Sequence, residues 1–281
     1  MTTELNYKDF HIVTKKLRSF FESKGFIEVH TQNKLSILAA CEDPTTMSTY
    51  NYNGNVWPLP QTGQMWLENY LLDNPKEKGF FCLSTSYRNE PNPVPGRHDL
   101  IFPMFEFETH GGLNELLILE KELLEWLGFK KEMYPNNEYP EDDYDNISNK
   151  YNVDILEHEH ETQLEKDHGP VFFLKNFPEK TSPFWNMELN NSKTHAKKVD
   201  VIIHGIETIG SAERSSDKEI MRNMFNTISN GEYANTLHAQ FSKDRVQNEM
   251  NKFLSKEFFT RSGGGIGMTR MIRAMKLSNL I

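Results

Sequence analysis

No stretch of eighteen apolar residues occurs in this 281-residue chain, so the sequence holds no helical membrane span. Its first ten residues, Met1 to Phe10, are polar and lack the apolar core of a signal peptide. Cysteine is scarce. Cys41 and Cys82 have no metal or redox spacing. They are expected to be reduced and structural, which suits a cytoplasmic protein. Positive charge is in deficit, with 31 basic against 40 acidic residues and a net charge of −9. That disfavours broad, nonspecific nucleic-acid binding, which depends on neutralising phosphates. The basic clusters Lys15-Lys16-Leu17-Arg18 and Lys197-Lys198 read as ordinary solvated faces. Internal repeats and low-complexity tracts are also missing.

The chain is long enough to bury a large core, and its composition fits one domain over residues 1–281. Residues 7 to 24 carry Phe10, Val13, Leu17, Phe20 and Phe21 at helical spacing. Gly25 ends that helix, and Phe26 to Val29 starts a strand. Helices are also expected over 62–72 and 115–127, the second capped by Asn114. Residues 131 to 150, rich in Asn, Asp, Tyr and Pro, read as an exposed loop or small insertion. The insertion is expected to extend over about 131–170. Phe172 to Leu174 and Phe184 to Met187 are short apolar pieces. Val199 to Ile203 reads as a buried strand. Residues 215 to 256 alternate helical patterns with polar breaks. Trp57, Trp66, Trp126 and Trp185 read as core.

Four segments carry chemistry. Arg88 stands in Tyr87-Arg88-Asn89-Glu90, after the apolar Phe80 to Leu83 and before a Pro/Gly-rich loop. Phe102-Pro-Met-Phe-Glu-Phe-Glu108 follows that loop. Arg270 ends Gly263-Gly-Gly-Ile-Gly-Met-Thr-Arg270, ahead of a helical pattern over 271–275. A hairpin offering one guanidinium and a bare glycine strand offering another suit a triphosphate. Arginine binds phosphate oxygens with a planar fork and keeps its charge. Between them lies Asp200-Val-Ile-Ile-His-Gly-Ile-Glu207-Thr-Ile-Gly-Ser211-Ala-Glu-Arg214. Asp200 and Glu207 could converge from neighbouring strands, and paired carboxylates beside a triphosphate usually hold Mg²⁺. The fourth segment is Gln61-Thr62-Gly-Gln64-Met-Trp-Leu67-Glu68.

Two tempting patterns are set aside. His158 and His160, in Glu157-His-Glu-His-Glu161, face different ways on a helix, so the run reads as a solvated charged helix. The glycines at 263–265 lack the strand, helix and distant acid of a dinucleotide loop.

Together these segments resemble the class II aminoacyl-tRNA synthetases of the aspartate/asparagine/lysine branch and the asparagine synthetases built on the same catalytic domain. The resemblance covers roughly residues 10 to 275. It implies an α+β fold with a six-stranded antiparallel sheet flanked by helices. It implies adenylate chemistry on ATP and Mg²⁺, with Arg88 and Arg270 as catalytic residues. Arg88, Glu90, His98, Phe102, Gly265, Gly267 and Arg270 would bind ATP, with Phe102 stacked on adenine. Glu42, Thr62, Gln64, Glu68, Glu106, Ser211 and Arg214 would bind the amino acid. Asp200 and Glu207 would hold the metal. The helix–Gly–strand unit over 8–35 resembles the branch's dimer element and implies a homodimer, although Gln32 replaces the usual proline.

The branch's N-terminal anticodon-binding barrel has no counterpart here, so a free-standing catalytic domain is expected. The long hairpin from Arg88 to Glu108 resembles bacterial asparagine synthetase A. Leu67, where aspartate users carry a lysine, and Glu68 after it resemble asparaginyl-tRNA synthetases instead. Glu68 with Arg214 is therefore expected to read a carboxamide. The first expectation is an aspartate–ammonia ligase. Transfer to tRNA in trans or to a protein is the alternative. A non-catalytic binding paralogue is a third reading.

Overall fold

The computed structural model describes residues 4–32, 34–38, 46–181 and 183–281. Glu42 and Cys41 lie outside these residues. The chain folds around a mixed α+β core. Six strands form an antiparallel run in the order β4 (Gly79–Tyr87), β5 (Ile101–His110), β10 (Arg261–Gly267), β9 (Ile206–Arg214), β8 (His195–Ile203) and β7 (Val171–Pro178). The sheet has eight strands rather than the expected six. The short β1 (Ile27–Glu28) adds in parallel to β4, and β6 (Glu141–Asp143) adds in parallel to β7. β1 lies within the strand expected from Phe26 to Val29, whereas β6 escapes an alternation reading because three residues define no period. A separate hairpin pairs β2 (Thr49–Tyr52) with β3 (Asn55–Pro58) through Asn53 and Gly54, both left-handed.

One face of the sheet is dry and apolar. Against it pack α1 (Tyr7–Ser23), α3 (Leu113–Leu127) and α9 (Met268–Leu277). Asn6 starts α1 by accepting from the backbone N–H of Lys8 and Asp9 at 2.9 and 3.2 Å. Gly25, at φ +83°, lets the chain leave the helix. Phe20, Phe21, Phe81, Phe105 and Phe107 are buried together there. The cap of α3 differs from expectation. Gly112 is the capping residue and Glu115 accepts its backbone N–H at 2.9 Å, so Asn114 lies inside the first turn.

The other face is half-covered. α2 (Gln64–Asp73) lies over β4 and β5. α6 (Lys218–Thr227), α7 (Glu232–Phe241) and α8 (Lys243–Leu254) gather round the buried Trp185. Phe184 to Met187 form no strand and touch β9 through one bridge from Met187 to Arg214. Trp126, expected in the core, is 51% exposed. The segment expected as an exposed loop contributes β6 and α4 (Tyr144–Tyr151), and α5 (His158–His168) follows. Tyr134, Tyr139 and Tyr144 are buried, which ties this stretch to the sheet edge. Its polar composition hid an aromatic anchor set. No helix among the described residues is long and apolar enough to cross a membrane.

Candidate active site

Strand alternation decides which side chains meet on the half-covered face. On β5 these are Phe102, Met104, Glu106 and Glu108. On β10 they are Arg261, Gly263 and Gly265, which pair with His110, Glu108 and Glu106 of β5. Across the other edge of β10, Gly263 meets Ala212 and Gly265 meets Gly210 of β9. The floor is therefore nearly bare backbone. An added Cβ at Gly265 would lie 2.4 Å from Met104 Cε, and one at Gly210 would lie 2.7 Å from Glu207 Oε1. The glycines are needed for side chains to cross above them.

Two adjoining cavities open over this floor. The first, about 210 Å³, is lined by Arg88, Glu90, His98, Phe102, Glu207, Gly265, Gly267 and Arg270. Seven of these were expected to hold ATP, and they converge on one space. Arg88 follows β4 and its N–H donates to Leu100 O at 2.7 Å, closing the hairpin. Its guanidinium lies 5.7 Å from the centre of the Phe102 ring. His98 Nδ1 is 2.7 Å from Glu90 Oε2. Arg270, in the first turn of α9, donates to Glu207 O at 2.7 Å and to Arg97 O at 3.3 Å.

The second cavity, about 180 Å³, shares Arg88, Met104, Glu207, Gly210 and Gly265 with the first. Thr62, Gln64, Leu67, Glu106, Ser211, Lys198 and Arg214 complete its polar and apolar wall. Glu106 is held from three sides. The hydroxyls of Thr62 and Ser84 donate to it, and Gly63 N–H does so at 2.8 Å. Burial pushes its carboxyl pKa up, against those hydrogen bonds and the charge of Arg88. An ammonium arriving here would meet a prepared, desolvated acceptor.

Asp200 and Glu207 stand on neighbouring strands. Glu207 has the wrong parity for this face. A one-residue slip between β8 and β9, where Val201 pairs Ile209 but Ile202 pairs Glu207, turns it round. Both carboxylates then converge over Gly210, with Asp200 Oδ1 3.7 Å from where its Cβ would be. Burial pushes Asp200 up to about 8, with Lys198 opposing and Glu207 adding. Burial also opposes ionisation of Glu207, but Arg270, Lys198, Arg88 and His98 outweigh it and its pKa falls. Asp200 Oδ1 is buried and has no hydrogen-bond partner among the described residues. An orphaned carboxylate oxygen beside an ionised glutamate fits a hard divalent cation.

Two expected pocket residues face elsewhere. Glu68 is wholly buried and turns to Arg261, whose Nη2 and Nε donate at 2.7 and 3.1 Å. Asn186 and Gln64 also donate to it, at 2.6 and 2.9 Å. It is not in the cavity wall and does not pair with Arg214. Arg214 is instead held by Glu108, Nε to Oε1 at 3.2 Å and Nη2 to Oε2 at 3.3 Å. Burial pushes Glu108 up to about 7, with Arg214 opposing and Glu68 adding. The Ser211 hydroxyl sits on the opposite sheet face, 3.4 Å from Val199 O and beside Glu120 of α3. Ser211 reaches the cavity with its backbone.

Several participants were not foreseen: Lys198, Glu108, Arg261, Asn186, Arg97 and Glu161. Strand alternation would have found three, since Glu108, Lys198 and Arg261 each lie two residues from a residue already singled out. Lys198 is not a solvated surface lysine; its side chain is 19% exposed. Glu161 belongs to the discounted acidic run. Glu157, His158 and Glu159 are indeed exposed. Glu161, however, pairs with Arg97 at 2.7 Å and accepts Glu207 N–H at 3.0 Å.

The chain, with an arginine at each end of a glycine-floored cleft, is similar to known proteins in sequence and in fold. The chain belongs to the family of class II tRNA synthetases (D, K and N), whose model matches residues 2–281. It is 27% identical over 236 residues to an aspartate–tRNA(Asp) ligase of Pyrobaculum aerophilum, covering 73% of this chain and 52% of that protein. Its fold is similar to that of asparaginyl-tRNA synthetase from Pyrococcus horikoshii complexed with asparaginyl-adenylate. The TM-score is 0.76 at 18% identity, covering 95% of this chain and 64% of that one. The asparaginyl-tRNA synthetase of Entamoeba histolytica gives a TM-score of 0.74 at 16% identity, covering 95% and 63%. The chain thus spans about half the length of the curated relative and under two-thirds of either solved structure.

Proposed function

We propose that this chain activates a small polar amino acid, aspartate or asparagine, by forming an aminoacyl-adenylate from ATP. The observation that carries the reading is the continuity of the two cavities. Arg88 and Glu207 line both, so a nucleotide in one brings its α-phosphorus to the carboxylate of an amino acid in the other. Thr62, Gln64 and Glu106 would seat the α-ammonium group. Phe102 would stack on adenine. Arg88 would stabilise charge on the transferring phosphoryl, and Arg270 would hold the outer phosphates. An amino-acid carboxylate oxygen then attacks the α-phosphorus, and the bond to pyrophosphate breaks. Asp200 and Glu207 would hold Mg²⁺, which would neutralise phosphate charge. Positioning and preorganised charge supply the catalysis.

For the acceptor we propose ammonia. Its nitrogen would attack the carbonyl carbon of an aspartyl-adenylate, AMP would leave, and the attacking nitrogen would lose a proton to give asparagine. Glu68 supports aspartate here, because its charge is spent on Arg261 and does not face the substrate. The similarity to tRNA ligases favours a second acceptor, tRNA supplied in trans. A homodimer through residues 8–35 is part of the same reading, and light scattering tests it. The central test is pyrophosphate release with ATP and single amino acids, followed by acceptors added one at a time. Amino-acid-dependent release is expected. No release with any amino acid would overturn the proposal.

A further inference from the structure

The loop over residues 88–100 joins β4 to β5 and brings Glu90, Arg97 and His98 to the wall of the first cavity. It forms no helix or strand. Pro91, Pro93 and Pro95 lie within it and have no N–H to give to a ladder. Side chains must therefore help to fix it. Arg97 donates from Nη2 to Glu161 Oε2 at 2.7 Å and to Gly205 O at 3.1 Å. Its Nη1 lies 3.5 Å from Thr162 Oγ1. The loop is thus tied to α5 and to the turn between β8 and β9.

That turn is itself fastened on two sides. It is made by His204 and Gly205, both left-handed. α5 packs so closely on it that a Cβ at Gly205 would lie 3.1 Å from Thr162 Cα. His204 Nδ1 is 2.9 Å from Glu165 Oε1 of α5, and its Nε2 is 2.8 Å from Ser278 Oγ, just past α9. Arg273 of α9 donates to His204 O at 3.2 Å. Glu161 Oε2 also has a second task, accepting the Glu207 N–H at 3.0 Å. Glu207 is one of the two carboxylates that fit a divalent cation. One oxygen of α5 therefore meets both the loop and the backbone that carries a metal carboxylate, although Glu161 does not line the cavity.

We propose that Glu161 is a positioning residue for the nucleotide half of the site, an assignment that rests on the ATP reading of the first cavity. Through Arg97 it pins the loop that carries Glu90 and His98. Through the Glu207 N–H it sets the backbone from which Glu207 reaches the metal. A charge-assisted hydrogen bond is stronger than a neutral one, so a carboxylate suits a partner that must hold a proline-rich loop. Preorganising the loop reduces the ordering that nucleotide binding would otherwise have to supply.

Calorimetric binding of a non-hydrolysable ATP analogue to the full chain, over a range of Mg²⁺ concentrations, tests this without turnover. Glutamine keeps an oxygen for the Glu207 N–H and gives up the charge that holds Arg97. Glu161→Gln should therefore weaken the analogue about tenfold, with a ligand-free Tm close to that of wild type. Glu161→Ala drops both links. It should also raise the Mg²⁺ concentration for half-maximal binding at least threefold beyond that of Glu161→Gln. Arg97→Gln with Glu161→Gln should bind the analogue no worse than Arg97→Gln alone, because the glutamate acts through the arginine. Losses that add in the double variant would overturn the proposal. So would analogue affinity within twofold of wild type in Glu161→Gln, or the same Mg²⁺ requirement in Glu161→Gln and Glu161→Ala. A wild type that binds no analogue would remove the ATP reading together with it, whereas tight wild-type binding untouched by these substitutions would remove the Glu161 assignment alone.

Discussion

Arg261 grips Glu68 through two nitrogens, at 2.7 and 3.1 Å, and both side chains are wholly buried. The pair sits behind the amino-acid cavity. It joins α2 to the glycine strand, so it holds one wall of the site to its floor. Breaking one partner of a buried pair leaves the other charge uncompensated, at a cost of about 3–5 kcal/mol. Arg261→Ala is expected to unfold at correspondingly lower urea. The double substitution Glu68→Leu with Arg261→Met should recover much of the loss, because it removes both charges. A double mutant as unstable as the sum of its parts would show that the pair is not coupled.

Arg88→Ala and Arg270→Ala should each leave the fold intact and slow adenylate formation. A charge-assisted donor acting in the transition state contributes roughly 3–4 kcal/mol, a few hundredfold in rate. ATP–pyrophosphate exchange measures this directly. Near-normal exchange in either variant would remove that arginine from the mechanism.

Glu106→Gln separates amino-acid binding from nucleotide binding. Its carboxylate is positioned by Thr62, Ser84 and Gly63 and waits for a cation. A hydrogen bond to a charged group contributes about 1.5–3 kcal/mol. The amino-acid KM should therefore rise about 10- to 100-fold while ATP affinity holds. Equal weakening of both would mean that Glu106 supports the sheet rather than the substrate.

Much of this site can be read from the sequence because its parts are local. Arg88 sits at the end of an apolar strand, and Arg270 follows the glycine-rich run from Gly263 to Gly267. The six antiparallel strands are what the resemblance to the synthetase family implies, and they are present. What escaped reading depends on pairings across the sheet. Arg214 was expected to meet Glu68, but register sets Arg214 of β9 against Arg261 of β10 and places Glu108 one strand further on, on β5 opposite Gly263. Register cannot be seen from one strand. The slip that turns Glu207 toward Asp200 is likewise invisible until β8 and β9 are paired. Of the two parallel edge strands, β1 follows Gly25 as expected, and β6 is too short to carry a pattern.

The glycine strand offers a graded test. At Gly263 an added Cβ would lie 2.0 Å from Glu108 Oε2 and 2.3 Å from Phe107 O. The second is a backbone atom in the ladder and cannot move aside. At Gly265 the nearest atom is the tip of Met104, 2.4 Å away, which can rotate. Gly263→Ala should cost more than the usual 1–3 kcal/mol of an overpacked site. Gly265→Ala should fold at near-normal Tm and lose ATP affinity, since it raises the cleft floor. Calorimetric melting with nucleotide titration distinguishes the two. Equal melting temperatures would refute the predicted order.

Glu120 gives the protein a pH-dependent weakness apart from the reacting groups. It projects from α3 into the dry face of the sheet, and its side chain is wholly buried. Burial pushes its pKa up to about 8, Ser211 opposing and Asp200 adding. The unfolded chain would ionise it near the ordinary glutamate value, about 4.3. Between those values the native state holds the proton and the unfolded state does not. Its contribution is therefore fully present below the unfolded pKa and is lost as pH rises toward 8. Glu120→Gln keeps a neutral group of similar size and removes that titration. At pH 4 the two proteins should differ little. At pH 8 the variant should be the more stable, with each kcal/mol worth about 2–4 °C in Tm at this chain length. Melting curves at both pH values check the sign. A variant whose advantage does not grow with pH would show that Glu120 is not the group that titrates.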